Sequence, residues 1–228
     1  MRPGAFRRLR TTAFLGVLLA SAAARAQTYY SGDAADVNPM YGSVQYQFGI
    51  PIGNTYTYIS DVEWRGIGAD LNWFVKPTIS IGLALGWNVF YQSTNKVINY
   101  IPGQTNAGFA ISGQQDRSFN FWPILADFRF LPKLKTGLRP FLGLGVGAYI
   151  TTQQLGIGLY SYSTTQCQFG LAPELGVILP IEGTTHIQLS TRYNMAFKSG
   201  TIPFEQWLGI YLGVVWGNGS AASSMRGR

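Results

Sequence analysis

The stretch that decides the fold is Ile79-Ser80-Ile81-Gly82-Leu83-Ala84-Leu85-Gly86-Trp87-Asn88-Val89-Phe90-Tyr91. Odd positions are large and apolar throughout. Even positions are Ser, Gly, Ala, Gly, Asn and one Phe. A period of two is the strand period, and it marks a strand whose two faces meet different surroundings. A soluble barrel would carry charge on its outer face. Here the second face is too small and too sparse in charge for that, so the bulky face is expected toward lipid and the small face toward a narrow lumen.

The same split recurs on both sides of this strand. Ile67, Ala69, Leu71 and Trp73 oppose Gly66, Gly68, Asp70 and Asn72. Leu142, Leu144, Val146, Ala148 and Ile150 oppose Arg139, Phe141, Gly143, Gly145, Gly147 and Tyr149. Ile187, Leu189, Tyr193, Met195 and Phe197 oppose Gln188, Ser190, Arg192, Asn194 and Lys198. Segments 40–51, 117–131, 166–180 and 206–216 fit less cleanly and bring the count to eight strands. Tight turns are expected at Val75–Thr78, Pro132–Gly137 and Pro180–Thr185, and long links at 52–61, 92–116, 152–165 and 199–205. Short turns at one end and long loops at the other predict an all-β, eight-stranded, antiparallel up-and-down transmembrane barrel with its turns in the periplasm. Trp73, Trp87, Tyr91, Trp122, Phe128, Phe130 and Trp216 are expected in the interfacial girdles. Pro123 and Pro173 fall inside proposed strands and predict bulges there.

Composition agrees. Charged residues make up 12% of the chain, against roughly 25% in soluble domains. Arg2, Arg7, Arg8 and Arg10, the apolar run Ala13–Ala20 and Ala24-Arg25-Ala26 read as a cleavable signal peptide over 1–26. The twin Arg7-Arg8 is a weak sign of a twin-arginine route, and nothing calls for export of a folded protein. The five signal arginines account for most of the net charge of +7. Without them the chain holds 12 basic and 10 acidic residues, which gives little support for nucleic-acid binding, and no clustered basic face is visible in the sequence. Residues 27–37 are expected as a periplasmic segment, 38–216 as the barrel and 217–228 as a flexible polar tail.

The signal peptide, the alternating strands, the proline-containing turns and the stretch Ile124-Leu125-Ala126-Asp127-Phe128-Arg129-Phe130 resemble the outer-membrane β-barrel domain family of the OmpA, OmpX and opacity-protein type. The resemblance covers roughly 38–216. It implies an outer-membrane location, contact with outer-membrane lipid, and no particular activity. Barrels of this kind usually end on an aromatic residue, whereas Trp216 is followed here by Gly217–Arg228.

No residue set points to catalysis. Gly143-Leu144-Gly145-Val146-Gly147 lacks the strand–turn–helix context of a nucleotide loop and reads as small residues in a crowded lumen. His186, the only histidine, lies four residues from Ser190. A His–Ser pair would resemble outer-membrane lipid A deacylases. Four residues along a strand is about 13 Å, too far for a base to reach its nucleophile. The lone Cys167 and lone His186 make neither a disulfide nor a transition-metal site, and the carboxylates show no calcium-loop spacing. No cofactor is expected. Tyr100, Phe109, Tyr160 and Tyr162, set among Ser, Gly, Asn and Gln in the long links, are the residues expected to meet any extracellular ligand. A monomer is expected.

The candidate site is the lumen itself. Counting outward from the turn at Pro180–Thr185 places Glu174 opposite Thr191 or Arg192, and alternation selects Arg192. Asp127 and Arg129 share a face, with Arg139 expected nearly opposite Arg129 and Asp70 nearby. A charge in a narrow, water-poor lumen must be paired. Glu174, Arg192, Asp127, Arg129, Arg139 and Asp70 are therefore expected to form one ionic plug.

Overall fold

The structure, a computed structural model, describes residues 40–101, 109–132, 138–158, 160–182 and 185–217. The expected leader, the segment 27–37 and the tail from 218 onward lie outside these residues. Eight antiparallel strands close into a barrel in sequence order. They are β1 (Met40–Ile52), β2 (Glu63–Lys76), β3 (Ile79–Ile101), β4 (Phe109–Phe130), β5 (Arg139–Ile157), β6 (Tyr160–Glu182), β7 (Thr185–Ala196) and β8 (Glu205–Gly217), with one short helix, α1 (Gly53–Tyr58), after β1.

The ladder register fixes the size of the barrel. Partners followed once around, from Gly42 through Leu71, Leu83, Ala126, Val146, Leu171, Met195 and Gln206, return to β1 at Ile52, a stagger of ten residues. With roughly 3.3 Å per residue and about 4.8 Å between strands, that stagger tilts the strands by about 41° and sets a backbone radius of about 8 Å. Such an interior is filled by side chains. An apolar band of about 25 Å then needs only about ten residues per strand.

The face assignment holds along every strand. Ile67, Leu71, Leu83, Leu85, Leu142, Leu144, Leu189 and Leu212 project outward. So do all seven proposed girdle aromatics, Trp73, Trp87, Tyr91, Trp122, Phe128, Phe130 and Trp216. Their neighbours Asp70, Asn72, Ala84, Asn88, Arg129, Phe141, Gln188 and Arg192 are buried inside. The interior is nevertheless not mainly small and polar. Trp207, Phe90, Phe119, Phe121 and Tyr149 are fully buried in it.

Two features differ from expectation. The links 92–116 and 152–165 are mostly strand: β3, β4 and β6 run for 23, 22 and 23 residues and β5 for 19, against 12 to 14 for the other four. Above the lipid both faces are wetted, so the hydropathy alternation fades while the hydrogen-bonded ladder continues, as across Thr152 and Thr165, whose hydroxyls lie 2.9 Å apart. The four long strands form a sheet standing clear of the rim. Tyr160 and Tyr162 sit on β6 and are exposed. Between Arg139 and Glu174 the chain holds no charged residue at all.

The prolines are not bulges. At Pro123 the β3–β4 ladder skips from Leu85–Ile124 to Asn88–Phe121 with its register unchanged, and the β4–β5 ladder runs through unbroken. At Pro173 the β6–β7 ladder skips from Leu171–Met195 to Glu174–Arg192, again in register. A missing N–H drops two pairs without adding a residue. True register shifts lie elsewhere, at Gln47/Gly49, Phe74/Lys76, Thr94/Val97 and Pro180/Glu182.

Leu83 and Leu144 are each 42% exposed on the outer wall. Leu83→Arg and Leu144→Arg are each expected to destabilise the barrel folded in lipid vesicles by about 2–4 kcal/mol, measured by denaturant titration. Silent substitutions would mean that inside and outside are exchanged.

Candidate functional site

Three layers fill the lumen. Toward the short turns, Tyr41, Phe74, Leu131, Phe141, Ile178 and Val215 make an apolar floor. Toward the long strands, Trp207 stacks on Phe121 with ring centroids 4.3 Å apart and meets Phe90 and Tyr149 edge-on. Ile59 and Ile202 join this cluster from the two links at that end.

Between the aromatic layers lies the charge. Arg129 is fully buried and reaches three carboxylates: Asp70 at 2.5 Å, Asp127 at 2.8 Å and Glu174 at 3.1 Å. Glu174 Oε2 also takes Arg192 at 2.9 Å, so one oxygen bridges two guanidinium groups, while its Oε1 accepts from Ser190 at 2.7 Å. Asp70 is held by Ser43 at 3.3 Å and by Gln45. Arg129 lies over the Phe141 ring at 4.9 Å and Arg192 over Tyr211 at 5.1 Å. Charged groups on β2, β4, β6 and β7 are thus tied by groups on β1 in a space that excludes bulk water, where each ion strengthens its neighbours and none can be lost cheaply.

Register and small residues create the room. Arg129 is opposite Gly143, which is opposite Glu174; Arg192 is opposite Gly209, and Asp127 opposite Gly82. A Cβ at Gly143 would stand 3.3 Å from both Arg129 Cγ and Glu174 Cβ. The glycine run of β5 therefore clears a path between an arginine and its carboxylate.

Arg139 does not join the layer. It pairs with Ile178, donates to the Pro77 carbonyl at 3.0 Å and lies over Phe74 at 5.7 Å, near the short turns. The β4–β5 ladder ends at Phe130–Leu142, so its centre falls at 136, later than the middle of Pro132–Gly137. That offset puts Gly143, and not Arg139, across from Arg129.

The link after β1 seals the outer mouth. Within α1, Thr55 donates to Glu205 at 2.5 Å and accepts from the Gln206 N–H at 2.9 Å. Asn54 donates to the Phe204 carbonyl at 2.8 Å, Tyr58 donates to the Gln154 carbonyl at 3.0 Å, and Arg117 donates to the Tyr58 carbonyl at 3.1 Å. Gln168 donates to the carbonyls of Phe197 and Pro203 at 3.0 and 2.9 Å. The sequence offered little warning of this lid. Its signal is Thr55 and Glu205, two buried polar residues 150 positions apart.

His186 and Ser190 both face the lumen, and the Ser190 hydroxyl is engaged by Glu174. Cys167 is exposed on the outer wall, beside Phe169 on the same face. Among the described residues, no group of three or more metal-ligating side chains occurs.

No known protein family and no curated protein matches the sequence. Solved structures do match. Neisserial surface protein A is similar with a TM-score of 0.53 at 12% identity, over 78% of this chain and 96% of that one. Ail, the attachment invasion locus protein of Yersinia pestis, in complex with the heparin analogue sucrose octasulfate, gives 0.49 at 12% identity over 79% and 99%. The N-terminal barrel domain of Pseudomonas aeruginosa OprF gives 0.41 at 12% identity over 78% and 96%. At such identities the likeness is one of fold. The closed antiparallel ring, the apolar outer wall and the likeness to the Neisserial barrel give this chain the fold of an eight-stranded up-and-down transmembrane barrel.

Proposed function

We propose that the protein is a non-enzymatic integral barrel of the bacterial outer membrane, a closed scaffold that contributes to envelope integrity and carries a four-stranded sheet for surface contacts. The observation that carries this reading is the filled lumen: an apolar floor, an ionic layer and an aromatic layer follow one another along its axis. A solute-conducting pore needs a continuous wetted path, and a backbone radius of about 8 Å leaves none once these side chains are in place. A lipid-modifying role finds no support in the His186 and Ser190 placement, because both side chains point away from the lipid.

The outer-membrane location is tested by fractionation. The protein is expected to sediment with outer membranes, resist carbonate extraction and migrate faster on gels unheated than boiled. An extractable band indifferent to heating would remove the scaffold reading.

Closure of the lumen is tested in planar bilayers. The intact barrel is expected to show no steady single-channel conductance. Glu174→Ala strands Arg192 with only the distant Asp70 carboxylate, 3.9 Å away, and is expected to destabilise the barrel by about 3–5 kcal/mol and to raise conductance. Stable conductance in the intact protein, or a silent Glu174→Ala, would count against a sealing role for this layer.

A further inference from the structure

The barrel wall is unzipped at one place. β2 and β3 pair as far as Ile67 and Trp87 and no further, although β2 continues to Glu63 and β3 to Ile101. On its other edge β2 loses register with β1 between Gln47 and Gly49. The extra residue turns both Trp64 and Arg65 outward and leaves Glu63 and Gly66 inward. The parted strands leave an outer cleft of about 390 Å³, along which lie Asp61, Val62, Trp64, Arg65, Val89 and Tyr91. Glu63 closes its inner side, its carboxylate accepting from the Val89 N–H at 2.5 Å.

The bulge thereby sets a cation on the lipid-facing wall. On the outward faces of β1, β2 and β3 no other charged residue stands between Lys76 at the short turn and Lys96. Among the described residues, no hydrogen bond, ion pair or ring contact engages the Arg65 guanidinium. The ionic layer shows the contrast, since Arg129 and Arg192 each hold carboxylates. Arg65 lies eight residues along β2 from Trp73. At roughly 3.3 Å per residue and a tilt of about 41°, that is about 20 Å along the membrane normal. With Trp73 in the lower girdle and an apolar band about 25 Å tall, Arg65 falls at the outer border, where lipid headgroups begin. A guanidinium there is matched by an anion that accepts from two of its N–H groups at once.

The surroundings say which anion. Trp64 is 63% exposed, meets Phe48 edge-on at 5.4 Å and has its carbonyl bonded by the Tyr46 hydroxyl. Trp64, Val62 and Tyr91 present exposed apolar surface beside the guanidinium. That surface suits a molecule joining an anionic head to a hydrocarbon body, and tryptophan is favoured at this depth. In a bacterial outer membrane the outer leaflet supplies such a molecule as phosphorylated lipid. We propose that this cleft is a specific site for one phosphorylated lipid of the outer leaflet, whose phosphate accepts from Arg65 while an acyl chain lies against Val62, Trp64 and Tyr91. Asp61 lines the same cleft and opposes the anion, so Arg65 carries the attraction alone. The inference rests on the outer-membrane location proposed above and is independent of whether the lumen conducts.

The test uses the full barrel refolded in uncharged maltoside micelles. The probes are lipid A bearing its phosphates, the same lipid with the phosphates removed, and inorganic phosphate. The Trp64 indole N–H and the Arg65 Nε–H report binding by nuclear magnetic resonance. A saturable shift of both with the phosphorylated lipid is expected, and none with either control at the same concentration. Arg65→Gln, read from the Trp64 indole, is expected to weaken binding roughly tenfold or more. Asp61→Asn removes the opposing charge and is expected to tighten it about twofold. Equal shifts with the dephosphorylated lipid or with inorganic phosphate would overturn the proposal. So would undiminished binding in Arg65→Gln, binding no tighter in Asp61→Asn, or shifts spread over the whole lipid-facing wall. A heat-modifiable band from each variant reports the barrel separately, so failure of the site and failure of the membrane reading are told apart.

Discussion

The structure depends on one buried guanidinium. Arg129 sits where water cannot reach it, and its three carboxylates come from β2, from its own strand β4 and from β6. Those strands are not neighbours, so the three can converge only across the interior of a closed ring with a particular stagger. Glu174 then binds Arg192 of β7 to the same centre. Intervening positions on β3, β5 and β8 are glycine where the long side chains cross, at Gly82, Gly143 and Gly209. Charge on some strands and absence of side chain on those between are two aspects of one arrangement.

Around that centre the lumen separates by polarity in depth. Tyr41 and Phe74, with rings 5.1 Å apart, close it toward the short turns. Trp207 and its aromatic partners close it toward the long strands. The ionic layer is therefore shielded from water on both sides, which strengthens its pairings. Asn194 joins the layers, donating to the Tyr211 hydroxyl and accepting from that of Tyr149, each at 3.0 Å.

How much of this could be read from the chain follows from where the environment changes abruptly. Lipid on one face and a packed lumen on the other impose alternation, so Ile79–Tyr91 displays its strand and its faces without help. Above the lipid the contrast vanishes, and Ser161–Thr165 looks like a loop although it is ladder. Glu174 and Arg192 lie across a short turn, where counting from its centre reaches the observed partners. Arg139 is misplaced by the same counting because the β4–β5 ladder is centred elsewhere. Neither the β2 bulge that turns Trp64 and Arg65 outward nor the seating of α1 has a local signal, since both arise from partners far away in sequence. The prolines show another limit. Sequence marks the lost N–H, and only the register tells an omitted pair from an inserted residue.

The uncharged run between Arg139 and Glu174 matters before there is any barrel. Unfolded chains stay apart largely through like charges and prolines that interrupt strand-prone segments. This run offers Pro140 and Pro173 at its ends and neither charge nor proline between, while supplying three Tyr, four Thr and five Leu. Two such segments on different chains would find no electrostatic reason to separate and every backbone reason to pair. The hairpin that rises from the finished barrel is, in the unassembled chain, its most adhesive part, and delivery to the membrane therefore depends on keeping that one segment covered until β4 and β7 can take its edges.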